Sequence, residues 1–181
     1  VSQNASPKQK SKTLSYIAKM RGKGNSPLKT NWKDILTALI GCYITIFVLL
    51  ELTKMTNTLW FMAPFGSSCL LAFAFWNGPL SQPRNIIGSH VLTSAVGIII
   101  LNLFGNEPWA IALAVALAIA LIMITKTTHP PAGANPVIIM LGNYSWHYII
   151  TPVLIGSLII VIFALIINNM RSTRRYPTFW W

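Results

Sequence analysis

Hydrophobic residues in this chain come in long blocks rather than in alternation. From Asp34 to Asn168 the charged residues are Asp34, Glu51, Lys54, Arg84, Glu107 and Lys126 alone, and the stretches between them are largely apolar. Windows of this length and character are what bilayer-spanning helices look like. Six apolar segments follow, at about residues 35–53, 59–75, 85–104, 108–125, 129–141 and 148–167. The first, third, fourth and sixth are long enough to span. Asp34, an N-cap residue type, opens the first, and Pro108 opens the fourth at a favoured first helical position. The second is interrupted by Pro64 and Gly66, and the fifth by Pro130, Pro131, Gly133 and Pro136. At about 1.5 Å per residue the fifth covers only about 20 Å of a hydrocarbon core about 30 Å thick, so it does not cross as one regular helix.

The order long, broken, long thus occurs twice. Laying Pro64, Phe65, Gly66, Ser67 and Ser68 on Pro131, Ala132, Gly133, Ala134 and Asn135 brings the two breaks into register. An odd number of crossings in each half inserts the second half upside down relative to the first. The expected fold class is therefore an all-α membrane protein whose six apolar segments form two inverted three-segment repeats, the middle segment of each broken or half-helical. Residues 1–33 read as a basic, disordered N-terminal arm, 34–170 as the transmembrane domain and 171–181 as a basic and aromatic tail.

Composition agrees with the membrane reading. The chain is 54% hydrophobic and 9% charged, where a soluble domain carries about 25% charged residues. The net charge of +11 raises the question of a nucleic-acid partner, and position answers it. Lys8, Lys10, Lys12, Lys19, Arg21, Lys23, Lys29 and Lys33 precede the first span, and Arg171, Arg174 and Arg175 follow the last. Such flanking charge is the positive-inside pattern, so the expected partner is the lipid bilayer and not nucleic acid. Both ends then face the inner side, together with Arg84 and Lys126, while the segment around Asn106 and Glu107 faces the other. The arm is rich in Ser and Lys without Asp or Glu as far as Trp32. It reads as a cytosolic arm or as a transit remnant. The expected membrane is a bacterial or cyanobacterial plasma membrane in the first case and a plastid envelope in the second. Cys42 and Cys69 both lie in apolar segments and read as small buried side chains. With no His-Glu-x-x-His, no Gly-x-Ser-x-Gly and no pair of membrane carboxylates, no catalytic residue, metal or cofactor is expected.

Chemistry is expected at the breaks. Unwound backbone in a membrane is tolerated only where protein or a water-filled cavity satisfies it, and a helix N-terminus offers an anion free N–H groups and the positive end of a dipole. The candidate binding residues are Pro64, Gly66, Ser67 and Ser68 in the first break and Thr128, His129, Gly133 and Asn135 in the second. Prolines start the helices, glycines admit close approach, and Ser67, Ser68 and Asn135 donate. His90 and His129 are ionisable groups in or beside apolar segments, suited to donating to an anion or relaying a proton. Arg84 and Lys126 stand at the inner mouth, where they attract an anion or simply anchor the protein. Against this stands close helix packing at Gly66 and Gly133, and histidines satisfied by neighbouring carbonyls. Trp60, Trp76, Trp109, Trp146, Trp180 and Trp181 read as interfacial belts.

The run Thr128, His129, Pro130, Pro131, Ala132, Gly133, Ala134 resembles the motif for which the HPP family of integral membrane proteins is named. Residues 63–68, residues 79–90 and the tail Arg174, Arg175, Tyr176, Pro177 agree with it in order. Relatives in cyanobacteria and plant plastids are associated with nitrite transport. The resemblance therefore implies membrane transport of a small inorganic anion, nitrite or the related nitrate, by a channel or carrier with a midplane site at two half-helix N-termini. Asn135 and Pro136 stand where small or hydroxylated residues are expected in many bacterial members, a difference that bears on the pore or its substrate. The alternative is a non-transporting structural or assembly subunit, and self-association into a homo-oligomer is left open.

Overall fold

The computed structural model describes Met20 and residues 24–180. Most of the arm expected over residues 1–33, and Trp181 in the tail, lie outside the described residues. Among the described residues the regular structure is all helical. Helix α1 is Trp32–Thr56, α2 Pro64–Ala74, α3 Pro83–Phe104, α4 Pro108–Ile124, α5 Asn135–Leu141 and α6 Ile155–Asn169. Short 3-10 turns at Pro79–Ser81 and Pro130–Ala134 precede α3 and α5, and a π-type turn at Ile149–Leu154 leads into α6.

The boundaries follow from local chemistry. The cap of α1 is Asn31 rather than Asp34: its Oδ1 accepts from the Asp34 amide at 2.9 Å, which starts the helix at Trp32 and leaves Asp34 in the first turn. Proline stands at the first position of α2, α3 and α4, where its missing N–H costs nothing. Helix α3 stops at Gly105, which takes φ 73, a left-handed conformation that glycine reaches without strain.

Among the described residues three helices are long and apolar enough to cross a membrane: Trp32–Thr56, Pro83–Phe104 and Ile149–Asn169. The fourth segment, expected to span in full, is a helix of 17 residues, or about 26 Å. It stops there because Lys126 turns to φ 56 and breaks the helical run. The two interrupted segments are short helices as expected, 11 residues in α2 and 7 in α5. Each half of the chain therefore sets a short helix between two longer ones, with α4 not among the three long enough to cross. In the last helix the break at Pro152 leaves Thr151 at φ −132 and ψ 117, since proline there disfavours helical geometry in the residue before it.

Helix α3 is the centre of the bundle. It packs on α4, α5, the π-type turn and α6, while α1 packs on α2 and α6. The outer helices bury one narrow stripe each. On α1 it is Thr37, Gly41, Thr45 and Leu49, and on α4 Ala110, Ala114, Ala118 and Ile122, both at the four-residue spacing of one helix face. The remaining apolar surface, including Leu39, Tyr43 and Phe47 on α1 and Leu113, Leu117 and Met123 on α4, is exposed, as lipid-facing surface must be. Small residues permit the closest approaches. A Cβ on Gly97 would lie 2.9 Å from Pro136 Cα, so α3 and α5 meet backbone to backbone there.

The tail after α6 is an integral part of the fold. The Arg174 side chain, 1% exposed, pairs with Asp34 at 2.6 Å, and Arg171 reaches the same carboxylate oxygen at 2.6 Å. Arg174 also donates to Phe73 O and Asn168 Oδ1 and lies over the Trp76 ring, while Asn168 donates to Ala72 O. The last carbonyls of α2, which no helix can satisfy internally, are thereby capped from another part of the chain. The flanking charge expected of Arg171 and Arg174 is thus only part of their role. Their pairing with Asp34 also brings the start of α1 and the end of α6 together.

Candidate functional site

The two breaks meet at the flank of α3. Ser68, on the inward face of α2, stands between two histidines. Its Oγ lies 2.8 Å from His90 Nε2 and 2.9 Å from His129 Nε2. His90 belongs to α3, and His129 immediately precedes the 3-10 turn of the second break. Asn135 opens α5 and donates from Nδ2 to Ser94 Oγ at 3.0 Å and to His90 O at 3.1 Å, with His90 Nδ1 also 3.1 Å away. Ser68, His90, Ser94, His129 and Asn135 are all at 0% exposure. The imidazole rings of His90 and His129 are 5.3 Å apart, and the Phe65 ring packs edge-on against His90 at 5.2 Å. Gly156 makes room for Phe65: a Cβ there would come within 2.3 Å of that ring.

The second break is aimed by a short extended segment. His129 has φ −140 and ψ 101, the conformation imposed on a residue that precedes proline. The segment runs beside α3 where Gly88 has no side chain; a Cβ there would sit 3.2 Å from Thr127 Cγ2. Ser89 Oγ donates to Thr127 O at 2.7 Å and accepts from the His129 amide at 3.1 Å, and Asn85 Nδ2 donates to Thr128 O at 3.0 Å. Extended backbone inside a bundle needs such partners, and α3 supplies them from one stripe.

Proton positions follow from the partners. Leu80 O is a pure acceptor 2.7 Å from His129 Nδ1, so Nδ1 carries the proton and, in the neutral ring, Nε2 is an acceptor. Ser68 then donates to His129 and accepts from His90 Nε2–H, while His90 Nδ1 shares with His90 O the one Asn135 amide hydrogen not given to Ser94. Every step agrees with the distances, and the chain of hydrogen bonds runs one way, from Asn135 to Leu80.

Of the expected residues, Ser68, His90, His129 and Asn135 come together. Pro64 is buried at the start of α2, and its carbonyl lies 3.2 Å from Ser68 Oγ, a second acceptor that competes for the one hydroxyl proton given to His129 above. Thr128 contributes its carbonyl to Asn85 and its hydroxyl to Ile122 O. Gly66 and Ser67 are exposed, turned away from the histidines, and nothing lies within 4 Å of a Cβ on Gly66; from one on Gly133 the nearest atom is Ile119 Cγ1 at 4.0 Å. The close approach expected at these glycines is found at Gly88, Gly97 and Gly156 instead. The amides at the breaks are also engaged. Phe65 N–H bonds Met62 O, Gly66 N–H bonds Ala63 O and Ala132 N–H bonds His129 O. The groups converging on the site are side chains rather than helix N-termini. Lys126 is exposed, and half-buried Arg84 donates to Thr125 O at 3.4 Å. Arg84 lines a mostly apolar groove of about 340 Å³ with Pro83, Ile87, Gly88, Thr127 and Trp180.

Asn85, Ser89 and Ser94 were not among the candidates, although the signal was present. Asn85, Ser89 and Thr93 recur at four-residue spacing, as do His90 and Ser94, so a polar stripe runs down one side of a spanning helix. Such a stripe in an otherwise apolar helix faces protein.

Residues 27–177 match the HPP transmembrane region. The chain belongs to the HPP family. A transmembrane protein of Dictyostelium discoideum is 34% identical over 180 residues, which is 93% of this chain and 58% of that protein. A second transmembrane protein of the same organism is 38% identical over 125 residues, 65% of this chain and 44% of that protein. The chain thus spans about half the length of the curated relatives it matches. No solved structure matches it. The protein is an integral membrane protein of the HPP family, and its motif histidine is the one that Ser68 joins to α3.

Proposed function

We propose that this HPP protein carries a small inorganic anion across a bilayer, with nitrite as the substrate to which the family resemblance points. One observation carries the reading: both broken segments deliver buried polar side chains to one place, Ser68 from the first, His129 and Asn135 from the second, with His90 between them. Polar groups are expensive at such depth, and those retained there mark substrate or ion pathways. The donors offered to an anion are hydroxyl, amide and imidazole groups, with Arg84 and Lys126 on the approach. The short helix between two longer ones in each half supports two inverted repeats, with the site at their junction. The positive flanks support a topology with both ends on the inner side.

A structural or assembly role draws on the same network, because its members satisfy one another. Flux separates the two readings. The full chain, purified and reconstituted into liposomes, is expected to admit nitrite above protein-free liposomes. His129→Ala is expected to lower the initial rate at least tenfold while leaving insertion unchanged. Wild-type flux equal to that of empty liposomes, under several lipid compositions, would leave the structural role in possession.

A further inference from the structure

We infer that His90, Ser68 and His129 form a proton relay holding one excess proton at a time, so that the anion moves together with one proton. The inference rests on the transport reading and adds the coupling ion. Its basis is geometric: both Nε2 atoms address one hydroxyl, at 2.8 and 2.9 Å, while Leu80 O fixes the opposite nitrogen of His129 at 2.7 Å. A serine that served only to fill space would not need to stand between two imidazoles. A hydroxyl can both donate and accept, which is what a relay between two bases requires.

The transfer balances. An excess proton on His90 Nδ1 makes that ring an imidazolium whose Nε2–H still points at Ser68. The Nε2 proton passes to Ser68 Oγ as the Ser68 proton passes to His129 Nε2. His90 is then neutral with its proton on Nδ1, and His129 is the imidazolium, donating from Nδ1 to Leu80 O and from Nε2 to Ser68. Asn135 serves both ends of the step, because its Oδ1 lies 3.3 Å and its Nδ2 3.1 Å from His90 Nδ1. It can donate to that nitrogen before the proton arrives and accept from it afterwards. The starting arrangement returns when His129 gives its Nε2 proton to the carried anion, the His90 ring turns so that its remaining proton again faces Ser68, and the Ser68 hydroxyl turns back to His129.

The surroundings permit one charge. Around the pair, α2 brings Phe65 and Cys69, α3 brings Ser89, Ser94 and, nearer its start, Arg84, and Tyr148 belongs to the same core cluster. Lys126 lies just upstream of His129. The three acids, Asp34, Glu51 and Glu107, belong to α1 and the cap of α4. With no carboxylate to neutralise a second imidazolium 5.3 Å from the first, double protonation is opposed by like charge. One proton with one monovalent anion is an electroneutral pair, which crosses without work against the membrane potential.

Two measurements test this on the full chain in lipid. Solid-state nitrogen NMR of labelled histidines should show opposite neutral tautomers, Nε2–H for His90 and Nδ1–H for His129. The two rings should share a single excess proton that exchanges between them, an exchange lost in Ser68→Ala and restored in Ser68→Thr. Identical tautomers, or independent titration in the wild type, would overturn the relay whatever the protein transports. In liposomes, the protein-dependent nitrite flux should equilibrate at a tenfold anion gradient per unit of pH gradient. A potassium–valinomycin voltage should not move that endpoint. Ser68→Ala should slow the approach at least tenfold against Ser68→Thr, with the protein-free leak of nitrous acid subtracted. Nitrite flux that follows voltage and ignores the pH gradient would refute the coupling and keep the transporter. Absence of any protein-dependent flux would refute the transport reading and the anion coupling together, leaving the NMR result to decide the relay.

Discussion

Removing the charge of Asp34 tests whether the tail holds the bundle. In Asp34→Asn the guanidinium of Arg174, whose side chain is 1% exposed, keeps Phe73 O and Asn168 Oδ1 but loses its counter-ion. Breaking a buried pair from one side costs about 3–5 kcal/mol. Asp34 is 32% exposed, so water recovers part of the loss, and we take about 2–3 kcal/mol. For a chain of this size that is a fall in Tm of about 4–12 °C. Arg171 supplies the internal comparison. It touches the same Asp34 oxygen at the same 2.6 Å but is 24% exposed, so Arg171→Gln should cost less than about 1 kcal/mol. Cys42 and Cys69 are free thiols, the second buried, and a thiol-reactive fluorophore in detergent reports unfolding without added labels. The expected order of loss is Arg174→Gln and Asp34→Asn far above Arg171→Gln, with the first two nearly independent of salt. Equal losses at Arg171 and Arg174 would mean that burial does not decide the strength of this clamp, and the account of the tail would fall.

The glycines divide by what a side chain would meet. Gly97→Val places carbon 2.9 Å from Pro136 Cα and is expected to cost about 1–3 kcal/mol by overpacking, whereas Gly66→Ala enters open space and should stay within about 0.5 kcal/mol of the wild type or gain stability from helix propensity; Tm in detergent ranks them. For topology, cysteines introduced at positions 30 and 106 of a chain otherwise lacking thiols should react with an impermeant maleimide from opposite sides of sealed vesicles, and labelling from one side would remove the inverted repeat.

What the sequence revealed was mostly backbone. Proline and glycine act on their own residue or its neighbour, so the start of α4 at Pro108 was legible without knowing any contact, and the same rule accounts for the starts at Pro64 and Pro83 and the end at Gly105. The polar candidates were harder to read because a helix turns about 100° per residue. Ser67 and Ser68 are adjacent and chemically equal, yet one is exposed and the other joins two histidines. Only the phase of α2 against α3 chooses between them, and that phase is set by Phe65 and Phe73 filling the space beside Gly156 and Gly41. The Asp34–Arg174 pair was invisible for a related reason. Each charge alone has an ordinary explanation at a membrane edge, and their separation in sequence carries no signal of contact.

The motif prolines gain a different role from the one that a broken helix first implies. Pro130 is exposed and Pro131 half-buried, and proline offers no N–H to an anion. What Pro130 does is local: it excludes helical geometry at His129, which the backbone meets at φ −140 and ψ 101. In that conformation the His129 amide reaches Ser89 Oγ, its Nδ1 reaches Leu80 O and its Nε2 reaches Ser68, three partners on three separate elements. A helical His129 would turn its ring with α5 and could not hold all three. The consecutive His129, Pro130 and Pro131 are therefore best understood as one aimed imidazole and the backbone constraint that aims it, with the chemistry completed by Ser68 and Asn135.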